Sequence, residues 1–450
     1  QQQYVIDSIS SLPYILPYVM VLNRKLHEVK VIDIDNQAKV YTKGETIQNG
    51  IFFKSEIIID GVSKFILSIE NEDPQITVIL PITAEYEALL LNEQLSKLFL
   101  FYPLIGTETW GMNYIIHSKH FFPTEQRDGI YLNSWTEQVK ENEEENRKLI
   151  LKASEMIFSF LRDYASEIKN PINLAQINFN VNSDKPLLND YFKSLKSIWI
   201  EQFKTFTLVE TNAGNLQPSE SNFVDKELLV SELHNDAIYN LVSKYWKNIP
   251  VRKISNEWTK KIDEWNIESI NYLKIKDLVE NIQEDSSLKA FEKPEELKQF
   301  YDFLLENGHE GLFNQYALLP NIKGDFKQFA ALNKIANLPQ TLIEIADVLM
   351  PEITARHIDN DFKFGLELSD YSRKQYSIDI NGQIIKLVTD NTTSSDLPYE
   401  FLEKLVNYCN ISSSSDSNNA PGKIMKLISN YYKISDNIII IPNIKDDEIN

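Results

Sequence analysis

An α+β fold is predicted by a change of hydrophobic period about one third of the way along this 450-residue chain. Before residue 137, apolar and β-branched residues alternate or run in strand-length blocks; beyond it they recur at spacings of three and four. Two-residue turn signals, Asp60-Gly61 and Asn381-Gly382, supply the positive φ values that tight hairpins need. The expected organisation is a sheet-rich module over 1–136, a mainly helical region over 137–350 with a Pro-Asn hairpin near 316–332, and a small α+β unit over 351–450.

In chain order, Leu12 to Leu22 is the longest apolar run; it is too short to span a bilayer and is interrupted by Pro13 and Pro17. Strands are predicted at 29–34, 38–42, 51–59, 63–70 and 76–80, with Asp60-Gly61 closing a hairpin between the third and fourth. Leu98 to Leu104 and Tyr114 to Ile116 read as buried strands bounded by turns at Gly106, Gly111 and Pro123. The acidic run from Glu137 to Glu145 reads as a solvated helix start, where carboxylates favour the helix dipole. Helices are expected at Arg147–Tyr164, Leu187–Phe206, Lys226–Trp246, Pro294–Glu306 and Pro339–Met350, with Gly308 as a helix exit. Further on come a hairpin at Tyr376–Val388, a helix at Leu397–Cys409 and a flexible linker near 411–422. A last short helix at Lys423–Tyr432 and a strand at Asn437–Ile441 are too small to bury themselves.

Composition narrows the function classes. There are 45 basic and 65 acidic residues, a net charge of -20, which argues against nucleic acid as a partner because duplex affinity comes from Lys and Arg neutralising phosphates. The lack of an 18-residue apolar run argues against a membrane span. Cys409 is the only cysteine, so an intramolecular disulfide is excluded, and a cytoplasmic setting is expected. Only 13 glycines are present, about 3% against a usual share of roughly 7%.

Chemistry-bearing residues concentrate in Tyr102–Leu132, YPLIGTETWGMNYIIHSKHFFPTEQRDGIYL. The pattern PLIGTE, a strand ending in HS, and then FFPTEQRDGIYL resembles the segment that follows the ATPase domain in sacsin-like proteins. These are relatives of the ninety-kilodalton heat-shock chaperones in the GHKL group of ATPases. Leu12–Val31, LPYILPYVMVLNRKLHEVKV, resembles that family's entry into the module, and Leu318–Leu332, LLPNIKGDFKQFAAL, its later proline-asparagine hairpin. The resemblance covers roughly the first three quarters of the chain. It implies that residues 1–136 are similar to a chaperone middle domain.

A nucleotide pocket resembling the family's needs a helix with Glu followed by Asn for magnesium, an Asp-x-Gly-x-Gly turn and a glycine-rich lid. Glu93 in LLNEQL lacks the asparagine on its helical face, and Asp128-Gly129 lacks the second glycine. With so little glycine for phosphate-cradling loops, the chain is expected to bind ATP weakly or not at all by itself. The sequence opens without methionine, and a fragment of a longer protein is expected. ATP and magnesium then belong to an N-terminal domain outside this chain. The resemblance implies a coupling function: the nucleotide state of that domain is passed to a client or partner protein, in proteostasis or in a microbial stress or defence system. Further copies of the chain are a candidate partner too.

The resemblance makes Arg127 the candidate for a γ-phosphate contact, since arginine carries a permanent charge on a fork that satisfies several phosphate oxygens. The competing structural role is a local ion pair with Glu108, Glu125 or Asp128. Arg24-Lys25 is a second candidate cationic pair. A different class of function, an independent metal-dependent hydrolase, is suggested by His117 and His120 with Glu108 and Glu125 near in sequence. Their spacing does not match a helical HExxH, and the alternative is hydrogen bonding within the loop. No GxSxG elbow occurs. Exposed tryptophans and tyrosines could form a partner surface, making a pure interaction scaffold the third reading.

Overall fold

Strand pairing in the first 120 residues follows from alternation that serves two cores at once. The computed structural model describes residues 2–383, except 34–35, 133–138, 180–184, 229–234, 268–269, 359–366 and some single positions, together with Phe401 and Lys404. It has the expected α+β character and divides into two compact units, one formed by Gln1–Asp225 with Trp246–Leu273 and the other by Lys226–Tyr245 with Lys274–Asn450.

The first unit opens with helix α1 (Gln2–Leu22), which runs through Pro13 and Pro17 rather than ending at them. Five antiparallel strands follow: β1 (Glu28–Ile32), β2 (Ala38–Asn49), β3 (Phe52–Ile59), β4 (Val62–Asn71) and β5 (Ile76–Ile82). At the β3–β4 turn, Ile59 pairs with Val62, and Asp60 and Gly61 both take positive φ, as the sequence signal requires. β2 is much longer than the predicted 38–42, because a register shift between Lys43 and Thr46 carries the strand past Gly44 to a second hairpin at Gly50-Ile51.

Three short strands complete the sheet: β6 (Leu98–Leu100), β7 (Tyr102–Pro103) and β8 (Ile115–Ser118). The predicted single strand Leu98–Leu104 is instead a reversal: Phe101 takes a φ of 60°, and Leu100 pairs with Tyr102. β8 lies between β5, to which it is antiparallel, and β6, to which it is parallel, so the order is β1-β2-β3-β4-β5-β8-β6-β7.

Successive side chains in a strand point to opposite faces. Ile66, Ile79, Ile115 and Tyr41 therefore pack with Met20 and Val21 of α1. Leu67, Val78, Leu80 and Ile116 pack on the other face with helices α2 (Glu141–Tyr164) and α3 (Pro186–Phe203). α2 supplies Leu149, Ala153, Ile157 and Phe160 at three- and four-residue spacing, and α3 supplies Leu195, Trp199 and Phe203. The change of period at 137 thus falls inside one continuous core. The acidic start of α2 is exposed at Glu141 and Glu144, while Glu143 turns inward and accepts from the Lys140 N–H at 2.9 Å.

Beyond the sheet, a helix at Arg252–Trp265 was not anticipated. It buries Ile254, Trp258, Ile262 and Trp265, a helical stripe diluted in sequence by charged residues. The strand Asn222–Val224 pairs in parallel with Asn271–Leu273, a short pairing without a local turn to announce it.

The second unit contains helices Asn235–Tyr245, Ile275–Asp285, Pro294–Glu306, Gln340–Leu349 and Pro351–Thr354. The helix expected over Lys226–Trp246 begins at Asn235 among the described residues, after a single 3-10 turn at Lys226–Leu228. Pro294 stands in the first turn of its helix, and Gly308 takes a positive φ after Asn307. The Pro-Asn hairpin forms: Leu319–Pro320 pairs antiparallel with Phe326–Lys327, and Gly324 takes a φ of 83°. The hairpin predicted at Tyr376–Val388 does not form where the chain is described, since 374–376, 378–380 and 382–383 are helical. The elements predicted at Lys423–Tyr432 and Asn437–Ile441, the linker near 411–422 and Cys409 lie outside the described residues.

Candidate functional site

Tyr102–Leu132 is held as loops on the rim of the sheet by buried polar side chains. Thr107 is nearly fully buried; its hydroxyl accepts from the Lys97 and Leu98 N–H groups at 3.0 and 3.1 Å and donates to the Leu104 carbonyl at 2.9 Å. Glu108 closes the same turn, accepting from Ser96 Oγ at 2.5 Å and from the Gly106 N–H at 2.7 Å. The next loop is tied to α2. Asn146, fully buried, accepts from the Phe122 N–H at 2.8 Å and donates to the carbonyls of Phe122 and Tyr131 at 2.9 and 2.7 Å. Arg147 Nε donates to the Leu132 carbonyl at 2.8 Å, and its guanidinium lies 4.8 Å from the Tyr191 ring centroid.

The two loops abut where Gly106 meets Asp128. A Cβ on Gly106 would sit 2.5 Å from the Asp128 carbonyl oxygen, and its φ of 109° excludes other residues at low cost. Between them, Pro123 bridges Ile130, the Thr124 N–H donates to the Gly129 carbonyl at 3.0 Å, and Thr124 Oγ1 donates to the Asp128 carboxylate at 2.5 Å.

Arg127 sits at the tip of this turn, exposed, with a φ of 55°. Its N–H donates to the Thr124 carbonyl at 3.0 Å, so the left-handed conformation closes the turn. Among the described residues Arg127 makes no ion pair with Glu108, Glu125 or Asp128: the Glu108 carboxylate is turned inward to Ser96 and Gly106, that of Asp128 accepts from Thr124, and Glu125 is exposed. The alternative cation Arg24 is paired with Glu70 and lies over the Phe53 ring, while Lys25 beside it is exposed.

His117 and His120 serve different environments. The His117 ring is half-buried, its Nδ1 donates to the Phe99 carbonyl at 3.0 Å, and Phe101 packs edge-on at 5.4 Å. Burial holds this imidazole below its ordinary pKa, against the opposing pull of the Phe99 bond. His120 and Glu125 are exposed, and no group of three His, Cys, Asp or Glu side chains able to hold a metal occurs among the described residues. Lys97, absent from the sequence-level candidates, is 4% exposed beneath the first loop, with its ammonium 3.4 Å from the Asn92 carbonyl. Burial lowers its pKa, while Glu108 and Glu93 act in the opposite sense. A buried lysine flanked by Ser96 and Leu98 has no pattern by which sequence could have singled it out.

The aromatic residues divide between core and surface. Trp110, Trp258 and Trp265 are buried, and Trp110 stacks edge-on with Phe179 and Phe192 in the core. Exposed apolar side chains of the rim include Phe101, Tyr102 and Ile105, at 57%, 69% and 72%, with Phe122 on the next loop, so the rim offers a surface that the buried Trp110, Trp258 and Trp265 do not. A cleft of about 370 Å³ lies elsewhere in the first unit, walled by Pro13, Tyr14, Pro17, Tyr18, Leu89 and Leu90. It gathers no cluster of ionisable groups. Among the described residues no helix is long and apolar enough to cross a membrane.

No family model matches the chain, and no curated protein or solved structure matches it either.

Proposed function

We propose that the chain is the coupling module of a sacsin-like, chaperone-related ATPase, receiving a nucleotide-dependent signal at the Tyr102–Leu132 loops and passing it to a client or partner protein. One observation carries this reading. Arg127 is exposed in a strained left-handed backbone, while two of the three carboxylates that would pair with it locally, Glu108 and Asp128, are hydrogen-bonded elsewhere and the third, Glu125, is exposed without an ion pair to it among the described residues. Strain of this kind costs on the order of 1 kcal/mol and is found where surrounding structure and function require it. Such an arginine is available to an anion presented by a neighbouring domain, and ATP with magnesium is the source that the sequence resemblance implies.

The test is ATP turnover by the full-length protein. Arg127→Ala should lower it by at least about tenfold with little change in nucleotide affinity, because a γ-phosphate contact acts on charge developing in the transition state. Unchanged turnover would sink the coupling role of Arg127. A protein-interaction role without nucleotide coupling is the second reading, supported by the exposed Phe101, Tyr102 and Ile105. Under it, Tyr102→Ser lowers partner binding while turnover is indifferent to Arg127.

A further inference from the structure

In the second unit, His357 is fully buried and neither ring nitrogen has a hydrogen-bond partner among the described residues. Nearly all buried polar groups in proteins are paired, so an unpaired imidazole is a point of weakness. Its ring stacks on Tyr376 at 5.3 Å and meets Tyr371 edge-on at 5.5 Å. The backbone around it joins separate segments. The Ile322 N–H of the Pro-Asn hairpin donates to the His357 carbonyl at 2.8 Å, the Asn333 N–H donates to the Arg356 carbonyl at 2.7 Å, and the Ile358 N–H donates to the Asn333 carbonyl at 3.0 Å.

We propose that His357 is an acid-sensitive latch: uptake of a second proton by its buried ring releases the 319–327 hairpin from the 354–358 segment. The neutral ring is tolerated as an aromatic packing piece. The imidazolium needs two hydrogen-bond acceptors and a counter-charge, and the described residues around the ring provide neither. Among the described residues of its own segment the charged neighbour is Arg356, which repels it. Asp347, on the helix Gln340–Leu349, is held by Lys323 of the hairpin and by Thr354 Oγ1 at 2.8 Å. Asp379 accepts from the Tyr371 hydroxyl, and the Tyr376 hydroxyl is itself buried without a partner. Burial and Arg356 together lower the ring's pKa to about 4 from its ordinary 6.5.

The sign follows from linkage. Between the two values the open state binds a proton that the closed state refuses, so closure weakens as pH falls from 6.5 toward about 4. The opening constant should rise by up to about tenfold per pH unit in that window.

Trp110, Trp199, Trp258 and Trp265 are buried in the core of the first unit, so their fluorescence reports that core. Hydrogen exchange of the full chain, corrected for intrinsic rates, should show peptides covering 319–327 and 354–358 losing at least about tenfold protection between pH 7 and pH 4.5 while tryptophan emission is unchanged. In His357→Phe, which keeps a ring and removes the titration, that loss should fall to a few-fold or less. Should the variant fold poorly, ring-labelled histidine NMR of the unaltered chain decides: the His357 signal should not titrate until the hairpin opens. Equal loss of protection in both proteins, or a His357 signal titrating near 6.5 with the hairpin still closed, overturns the latch.

Discussion

The β3–β4 hairpin of the first unit and the Pro-Asn hairpin of the second are both short reversals, held by opposite means. Around Asp60-Gly61 the strands are fixed by apolar alternation: Ile66 and Leu67 are adjacent in sequence yet serve different cores. Around Asn321 the chain is fixed by a buried amide. Its oxygen accepts from the Lys323 and Asp325 N–H groups, both at 2.9 Å, and its nitrogen donates to the Ala355 carbonyl at 3.1 Å. The first device is insensitive to the identity of any one polar atom; the second depends on each. The two hairpins should therefore fail differently.

Leu67→Ala should have the largest effect, a loss of about 2 to 5 kcal/mol from the first unit, because the side chain is fully buried in the sheet core. Chemical denaturation followed by tryptophan emission reads it. Asn321→Ala should lower the second unit by about 1 to 3 kcal/mol, since it strands the Ala355 carbonyl and two N–H groups. Hydrogen exchange of peptides covering 274–358, which belong to the second unit, should register this loss. A variant that shifted both signals together would erase the distinction between the hairpins.

Acidification should separate the units again. His117 and His357 are both lowered by burial, so each stabilises the folded state above pH 6.5 and loses that contribution as pH falls. His117 retains its bond to the Phe99 carbonyl, whereas His357 has no partner. For His357 the loss approaches about 3 kcal/mol by pH 4, from the fall to about 4 at roughly 1.4 kcal/mol per pH unit. Hydrogen exchange at pH 7 and pH 4.5, corrected for intrinsic rates, should show peptides of the second unit losing more protection than those of the first. A larger loss in the first unit would mean that its carboxylates, rather than the buried histidines, govern the acid response.

Legibility in the sequence divides along the same line. The Asp60-Gly61 turn and the stripes of α2 and α3 could be read because each is a local pattern repeated over several residues. Phe101 was hidden inside an apolar run, where nothing local says that Leu98–Leu104 must reverse. Arg252–Trp265 was masked by charges on its solvent face, although Ile254, Trp258 and Ile262 carry the right spacing. Thr107, Asn146 and His357 were illegible for another reason: each is a single polar residue whose role depends on residues outside its own turn, and at Asn321 the turn could be read but its bond to the Ala355 carbonyl could not. The loops of the candidate site were visible as a density of special residues, whereas the inward turn of Glu108 toward Ser96 was not.

The smallest expected effect is the most informative about Arg127. A non-glycine side chain in the left-handed region costs about 1 kcal/mol, which glycine avoids, while glycine brings an entropic penalty of about 0.5 to 1 kcal/mol in the unfolded chain. Arg127→Gly should thus be neutral to slightly stabilising, by no more than about 0.5 kcal/mol. Arg127→Ala keeps the strain and removes an exposed side chain with no ion pair, so it should lie within about 0.5 kcal/mol of the unaltered chain or fall slightly below Arg127→Gly. If the turn were the reason for arginine at this position, the glycine variant would match the original in every assay. If the guanidinium is what the proposed coupling uses, both variants lose ATP turnover together, although the fold is as stable or more so with glycine. Melting temperature and turnover measured on the same pair of variants therefore distinguish a residue kept for its backbone from one kept for its charge.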